Sequence, residues 1–398
     1  MSERHVDRPT LFELWRYFLR LGATGFGGPI ALVGYMEREF VDGREWVTRQ
    51  EFKDGLAFAQ LAPGPLAAQL AIYLGWLCRG ARGATLVSVA FIAPSFLMVL
   101  ALAALYVRFG GMGWLQGAFY GIGAAVIAII ARSAVQLART TLGRDRLLRV
   151  LFAVSAGVTA YSESELVSLF VLSGVVTLVV RGGARTVGRE AVFFVASLQA
   201  TAPSRRMIDW LLTGLAGAAP VATLGTIFLY FASAGLFVFG SGLAIVPFLH
   251  GGVVQQYHWL TERQFLDAVA VALITPGPVV ITVAFIGFLV AGVLGATAAA
   301  AGVFAPVYFI TILFAPHYER LKTNLRVRAF VEGVTAAATG AIAGAAFVLG
   351  RRAVIDLPTA LIAVVTLVLL LRVRKIPEPL VIVGAGVVGF VVRGVGAG

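Results

Sequence analysis

Apolar residues fill long blocks of this chain, and short basic stretches separate them. The runs 84–107, 114–131 and 283–305 each have the ~20 residues that a bilayer-spanning helix needs. In the first half the pattern predicts about six membrane elements. An amphipathic segment and a glycine-broken one fill 10–36, followed by 54–78, 84–108 and 114–138, and then by two shorter apolar pieces at 147–160 and 164–181. The last two barely reach across a bilayer, as a tilted or re-entrant pair would.

The pattern then repeats, and internal repetition determines architecture before anything else. A shift of 213 positions lays residues 26–65 on 239–278 without a gap, with 14 identities in 40 positions. They include Phe26-Gly27 on Phe239-Gly240, Trp46 on Trp259, Thr48 on Thr261, Phe52 on Phe265, Asp54 on Asp267, and Pro63-Gly64-Pro65 on Pro276-Gly277-Pro278. Shared apolar composition does not align a tryptophan, an aspartate and two prolines. After one deletion the shift is 212, and Gly75/Gly287, Gly80/Gly292, Gly83/Gly295, Pro94/Pro306 and Gly121/Gly333 agree. The expected units are an N-terminal repeat at 10–182, a connector with an extra membrane span at 183–222, and a C-terminal repeat at 223–394. The first part of the connector, Arg181 to Arg206, is polar and basic.

Basic residues orient the spans. In the first half they gather after the second, fourth and sixth elements: Arg79 and Arg82, then Arg132 to Arg149, then Arg181 to Arg189. In the second half they follow the third and fifth: Arg320 to Arg328, then Arg372 to Lys375. Arg351-Arg352 departs from this pattern and is partly offset by Asp356. Cytoplasmic loops carry the positive excess, so equivalent loops face opposite sides. The apolar stretch 207–250 has room for the extra crossing that inversion requires. The expected fold is an all-α polytopic membrane protein of about 13 transmembrane elements, built as two homologous halves in an inverted-topology repeat with broken helices. Such repeats typify secondary transporters, whose site lies near the midplane between the halves.

Composition narrows the function classes. Of 398 residues, 59% are hydrophobic and 13% charged, against about 25% charged in a soluble domain. That excludes a soluble enzyme, a DNA-binding module and a secreted scaffold, and makes the lipid bilayer the first partner. The net charge of +12 reflects basic loops rather than a nucleic-acid partner, and it draws small anions toward any cavity. A single cysteine, Cys78, excludes an internal disulfide and a multi-cysteine metal site, and His5, His250, His258 and His317 are too scattered for a local ligand set. No metal and no other cofactor is expected. The chain has no Gly-x-x-x-x-Gly-Lys-Ser/Thr loop for ATP. Met1 to Pro9 is polar and of mixed charge, unlike a cleavable signal peptide. No His/Asp/Glu constellation shares a face, which argues against a membrane enzyme. Oligomeric state stays open, a homodimer included.

Candidate chemistry lies at the breaks. Gly22 to Pro29 holds four glycines and a proline, and its partner, Gly235 to Gly242, has Ser241-Gly242 where the first half has Gly28-Pro29. The Pro-Gly-Pro triplets break the second element of each half in the same way, because proline removes a donor and clashes with the preceding turn. Irregular backbone at membrane depth is tolerated only against protein or a water-filled cavity. There it offers bare N–H groups and the positive end of the helix that follows, a ready anion site. Gln60 and Gln69 flank the first triplet, and Thr275 and Thr282 the second, as neutral hydrogen-bonding groups. Glu332, Asp54 and Asp267 are candidate proton carriers, since ionisable residues at depth are costly unless used or paired. The competing reading of the two aspartates is favourable charge at a helix N-terminus. Arg16 and Arg20, four apart, face an anion path or snorkel to lipid phosphates. Trp46 and Trp259 are expected at the membrane interface. Gly117/Gly121 and Gly340/Gly344 are expected to serve close helix packing.

The ordered set Phe26-Gly27-Gly28-Pro29, Trp46, Pro63-Gly64-Pro65 and Pro94-Ser95, with Phe239-Gly240-Ser241-Gly242, Trp259 and Thr275-Pro276-Gly277-Pro278, resembles the chromate ion transporter family, specifically its long two-domain members. The resemblance covers nearly the whole chain. It implies export of chromate from the cytoplasm across the inner membrane, driven by membrane potential or a proton gradient. Those motif residues are then the expected substrate-binding set. Sulfate shares chromate's charge and shape and is the rival substrate, and a passive anion channel is the rival mechanism.

Overall fold

The structure is a computed structural model that describes residues 8–26, 28–109, 112–162, 167–182, 219–236, 239–240, 242, 245–318, 324–373 and 376–395. Gly27, Ser241 and the connector up to residue 218 lie outside these residues. The first half contains α1 (Leu11–Thr24), α2 (Gly28–Glu37) running into a π turn (Arg38–Gly43), α3 (Arg49–Leu61), α4 (Leu66–Phe109), α5 (Gly113–Leu142), α6 (Arg146–Ser162) and α7 (Val167–Gly182). The second contains α8 (Ala219–Leu236), α9 (Ile245–Leu249) running into a π turn (His250–Gln256), α10 (Glu262–Ile274), α11 (Thr282–Phe314), α12 (Leu325–Ala353), α13 (Leu357–Arg372) and α14 (Glu378–Val395). The stretches Leu66–Phe109, Leu115–Leu142, Val279–His317 and Leu325–Ala353 are long and apolar enough to cross a membrane.

Local chemistry repeats with the sequence. α3 and α10 start at equivalent positions with the same capping box: Thr48 with Glu51, and Thr261 with Gln264. Each π turn ends three residues before the matched tryptophan, at Arg38–Gly43 and His250–Gln256. α4 and α11 each reverse direction once inside their length, at Arg79–Gly80 and Ala291–Gly292. Gly80 has φ +61° and Gly292 +62°, a left-handed conformation that costs glycine nothing.

The second element differs from its sequence expectation. Residues 54–78 do not form one broken span. α3 instead runs antiparallel to the first limb of α4, with Pro63-Gly64-Pro65 at the tip of the hairpin. Phe58 stacks on Tyr73 with ring centroids 5.5 Å apart, and Gly55 lies against Tyr73 and Leu70. Two prolines around a glycine at φ +140° turn the chain too sharply for a helix to continue. α3 has 13 residues and rises only ~20 Å, short of a ~30 Å hydrocarbon core. α1 and the α2 limb make a second hairpin: Tyr17 and Phe18 meet Phe40 at 5.4 and 5.7 Å. Trp46 is no interfacial anchor; it is 7% exposed and packs edge-on to Phe40 at 5.1 Å.

The two halves interlock. α5 packs on α13 and α14, while its counterpart α12 packs on α6 and α7. The glycine pairs serve this packing: Gly117 and Gly121 abut α14, and Gly340 and Gly344 abut α6. A Cβ at Gly121 would sit 2.0 Å from the Ala385 carbonyl oxygen, and one at the equivalent Gly333 would sit 2.4 Å from the Ser173 oxygen. Gly121→Val is therefore expected to destabilise the fold by ~1–3 kcal/mol through overpacking. Thermal unfolding of the purified protein in detergent measures it, and an unchanged melting temperature would contradict the close approach.

Candidate functional site

The hairpin tips of one half are bonded to the other half. The Gly277 amide, at φ +97°, donates to the Gly25 carbonyl at 2.9 Å. Gly64 and Pro65 pair with Phe239 and Gly240 as a two-residue parallel ladder. Behind this joint the Ser95 hydroxyl donates to the Gly22 carbonyl at 3.1 Å, and the Gln69 side-chain amide to the Pro63 carbonyl at 2.7 Å. The Thr275 and Thr282 hydroxyls cap their own turns at Val271 and Val279. Pro94 sits inside α4 without ending it. The expected supply of bare amides is thus partly spent: those of Gly25, Ala62, Thr275 and Gly277 already have carbonyl partners, because buried backbone donors rarely stay unpaired.

What remains open faces a cavity of about 1150 Å³ between the halves. The first turn of α2 (Gly28, Pro29, Ile30, Ala31), the first residue of α4 (Leu66) and the start of the Val279–Ile281 turn all line it. Three helical N-termini therefore converge on one space. Gln60 lines it as well, and Phe26, 38% exposed, lies beside it in the α1–α2 turn. Thr275, Pro276, Gly277 and Pro278, with Pro63, Gly64, Pro65 and Gly242, are not among its lining residues; they form the joint behind it.

Sequence reasoning missed one wall. Ser133, Gln136 and Thr140 on α5 line the cavity together with Arg132 and Thr141. Their spacing of three and four is a polar stripe on one face of an apolar helix, the signal that locates them. Arg132 was expected in a basic loop; it lies inside α5 and pairs with Glu378 at 3.3 Å. At the far end of the cavity Glu332 is held by Arg181 and, at 3.0 Å, by Arg328. Asp54 is half-buried and accepts from Gln50 at 3.2 Å. Its counterpart Asp267 is 4% exposed and accepts from the Tyr106 hydroxyl at 2.7 Å.

The chromate transporter family model matches residues 12–178 and again 225–390. The chain belongs to the chromate transporter family. It is 53% identical over 384 residues to the chromate transport protein of Cupriavidus metallidurans, covering 96% of this chain and 93% of that one. It is 50% identical over 386 residues to the probable chromate transport protein of Synechococcus elongatus, covering 96% and 95%. The chromate transport protein of Pseudomonas aeruginosa is 32% identical over 339 residues, covering 83% of this chain and 79% of that protein. No solved structure matches the chain. Membership, with the apolar spans, makes this a multi-pass membrane protein and a transporter rather than an enzyme.

In this chromate transporter family member an ion cluster borders the cavity at the α5–α6 connection. Asp145, in the α5–α6 connection, accepts from the Leu147 and Leu148 amides at 2.8 and 3.2 Å and pairs with Arg181. The Leu148 amide above all, then the Arg181 guanidinium, hold its carboxyl below the ordinary aspartate value of 3.8. A carboxyl with a lowered folded-state pKa contributes stability above its unfolded value and loses it as pH falls through the folded one. The protein is expected to lose melting temperature on acidification below pH 3.8, with a smaller loss in Asp145→Asn. Identical acid limbs for the two proteins would dissociate Asp145 from that transition.

Proposed function

We propose that this protein is a secondary transporter that exports chromate from the cytoplasm across the inner membrane by alternating access. One observation carries the reading: the first residues of α2, of α4 and of the Val279 turn line a single cavity whose α5 wall is hydroxyl- and amide-bearing. Chromate is a tetrahedral dianion that accepts hydrogen bonds on every side. Dipole ends and neutral donors replace its water without requiring a full counter-charge. The relatives' printed names supply the substrate class.

The units of the transporter are the repeats 10–182 and 223–394, inverted with respect to each other, with about 13 elements when the connector at 183–222 contributes its span. Support for inversion comes from the long limb of α4, which follows Arg79–Gly80. The start of α3 lies at the Arg79 end of that limb: Arg79 donates to the Pro9 carbonyl at 2.7 Å and Arg8 pairs with Glu51 at 2.5 Å. The start of α10, the counterpart of α3, lies at its other end. There Arg263 donates to the Gln116 carbonyl at 3.1 Å, and Tyr106 to Asp267 at 2.7 Å.

Moving a dianion outward along an inside-negative potential is favourable by ~2.3 kcal/mol per charge per 100 mV, so potential alone can drive export. Proton coupling, where present, falls best to Asp267, a buried carboxylate facing a phenol. Glu332 and Asp54 fit that role less well, Glu332 because two guanidinium groups already hold it. A cavity of this volume does not exclude sulfate by size, so sulfate is the second substrate reading.

Everted membrane vesicles carrying the purified protein are expected to accumulate chromate and to stop when both gradients are collapsed; uptake indifferent to both contradicts the energetics. Sulfate in excess either competes, placing both oxyanions in one site, or leaves chromate uptake untouched. Replacing Pro63-Gly64-Pro65 by alanines is expected to abolish uptake while the protein still reaches the membrane, and normal uptake would remove the triplet from the mechanism. Asp267→Asn is expected to remove acceleration by a pH gradient and to spare potential-driven uptake. Loss of both components together would assign Asp267 to structure instead.

A further inference from the structure

A second cavity, of about 800 Å³, lies between α1 and the α2 limb. It runs from Glu13 near the start of α1 to Thr24 and Gly25 at its end, where the Gly25 carbonyl holds the Gly277 amide of the other half. Four arginines line it, Arg16, Arg20, Arg38 and Arg44, against two carboxylates, Glu13 and Glu39. Arg44 is taken up by Glu39 at 3.3 Å, and Arg38 lies over the Tyr35 ring at 4.9 Å. Arg16 and Arg20 make no ion pair among the described residues. Like charges four apart on a helix repel, and that repulsion is offset only in part by Glu13, three residues before Arg16. In the same cavity the Tyr17 hydroxyl is buried without a hydrogen-bond partner.

The second half has lost all of this charge. Leu229, Ser233, Gly251 and Tyr257 stand where the first half has Arg16, Arg20, Arg38 and Arg44. Tyr230, the counterpart of Tyr17, stacks on Phe248 at 5.5 Å and donates to its carbonyl at 2.9 Å. Tyr257 stacks on Trp259 at 4.6 Å. An aromatic cluster thus occupies the position of the basic space. The outer end of the first-half cavity lies on the side of Arg79, which bonds Pro9 just ahead of α1; by its basic residues that end is cytoplasmic.

We infer that the α1–α2 cavity is a one-sided loading vestibule, in which Arg16 and Arg20 collect a free tetrahedral oxyanion from the cytoplasm before it reaches the joint at Gly25. The inference rests on the transport reading above. A lipid phosphate carries the same chemistry, but the cavity leads inward to the joint between the halves, whereas a headgroup stays at the membrane surface. A basic recess raises the local concentration of small anions, and the effect falls with ionic strength.

The test is initial-rate chromate uptake into proteoliposomes, with chromate offered from either face. For Arg16→Gln with Arg20→Gln, KM from the cytoplasmic face is expected to rise about tenfold, its dependence on ionic strength to flatten, and KM from the opposite face to stay as it is. Arg16→Lys with Arg20→Lys is expected to restore both KM and the salt dependence. An unchanged cytoplasmic KM, or an equal rise from both faces, overturns the vestibule. So does an effect that vanishes in vesicles of zwitterionic lipid alone, because it assigns the arginines to a headgroup. Arg20→Gln by itself gives a smaller shift of the same kind and serves where the double variant does not fold. Failure of the unaltered protein to take up chromate would overturn the transport reading instead.

Discussion

Peptide groups withdrawn from water need partners, and in this fold the partners come from the other half of the chain. Proline and glycine end α1, α3 and α10 at the joint between the halves, where backbone groups pair across it. The Gly277 amide finds the Gly25 carbonyl, and Gly64-Pro65 finds Phe239-Gly240. Each half satisfies part of its own tips, as Gln69 does for the Pro63 carbonyl, and the other half supplies the rest. The same exchange recurs away from the joint, where each half's long helix, α5 or α12, packs on the last two helices of the other. The packed halves leave a cavity at the seam.

That requirement also shapes the site. Amides used for the joint are not free to bind a solute, so the cavity's donors are those left over: the first turn of α2, the start of α4, and the polar stripe Ser133, Gln136 and Thr140 on α5. Pro63, Gly64 and Pro65 matter by directing the chain, with Gln69 holding the Pro63 carbonyl. The division between residues that build the turn and residues that face the space is invisible in a motif, which contains both.

Duplication made the two halves alike in backbone, and divergence made them unlike in charge. Capping boxes, π turns and the left-handed glycines Gly64/Gly277 and Gly80/Gly292 agree position by position. The side chains between α1 and α2 do not: arginines and an unpartnered Tyr17 hydroxyl in one half face rings and a bonded Tyr230 hydroxyl in the other. Backbone features are held by local sterics that any copy must obey, and wall side chains are free of that constraint.

The sequence by itself determined the membrane class, the repeat and the positions of the Pro-Gly-Pro turns. Each depends on local or periodic properties: apolar length, proline's missing donor, glycine's tolerance of positive φ. Apolar length did not reveal that α3 folds back on α4, because a hairpin limb and half a span have the same composition; the Phe58–Tyr73 stack that separates them joins residues on different helices. Nor did it tell that Arg132 meets Glu378 inside the protein, or that Asp267 is buried against Tyr106 while Asp54 is not. Those outcomes depend on which helices become neighbours, and only the packing of one half against the other decides that.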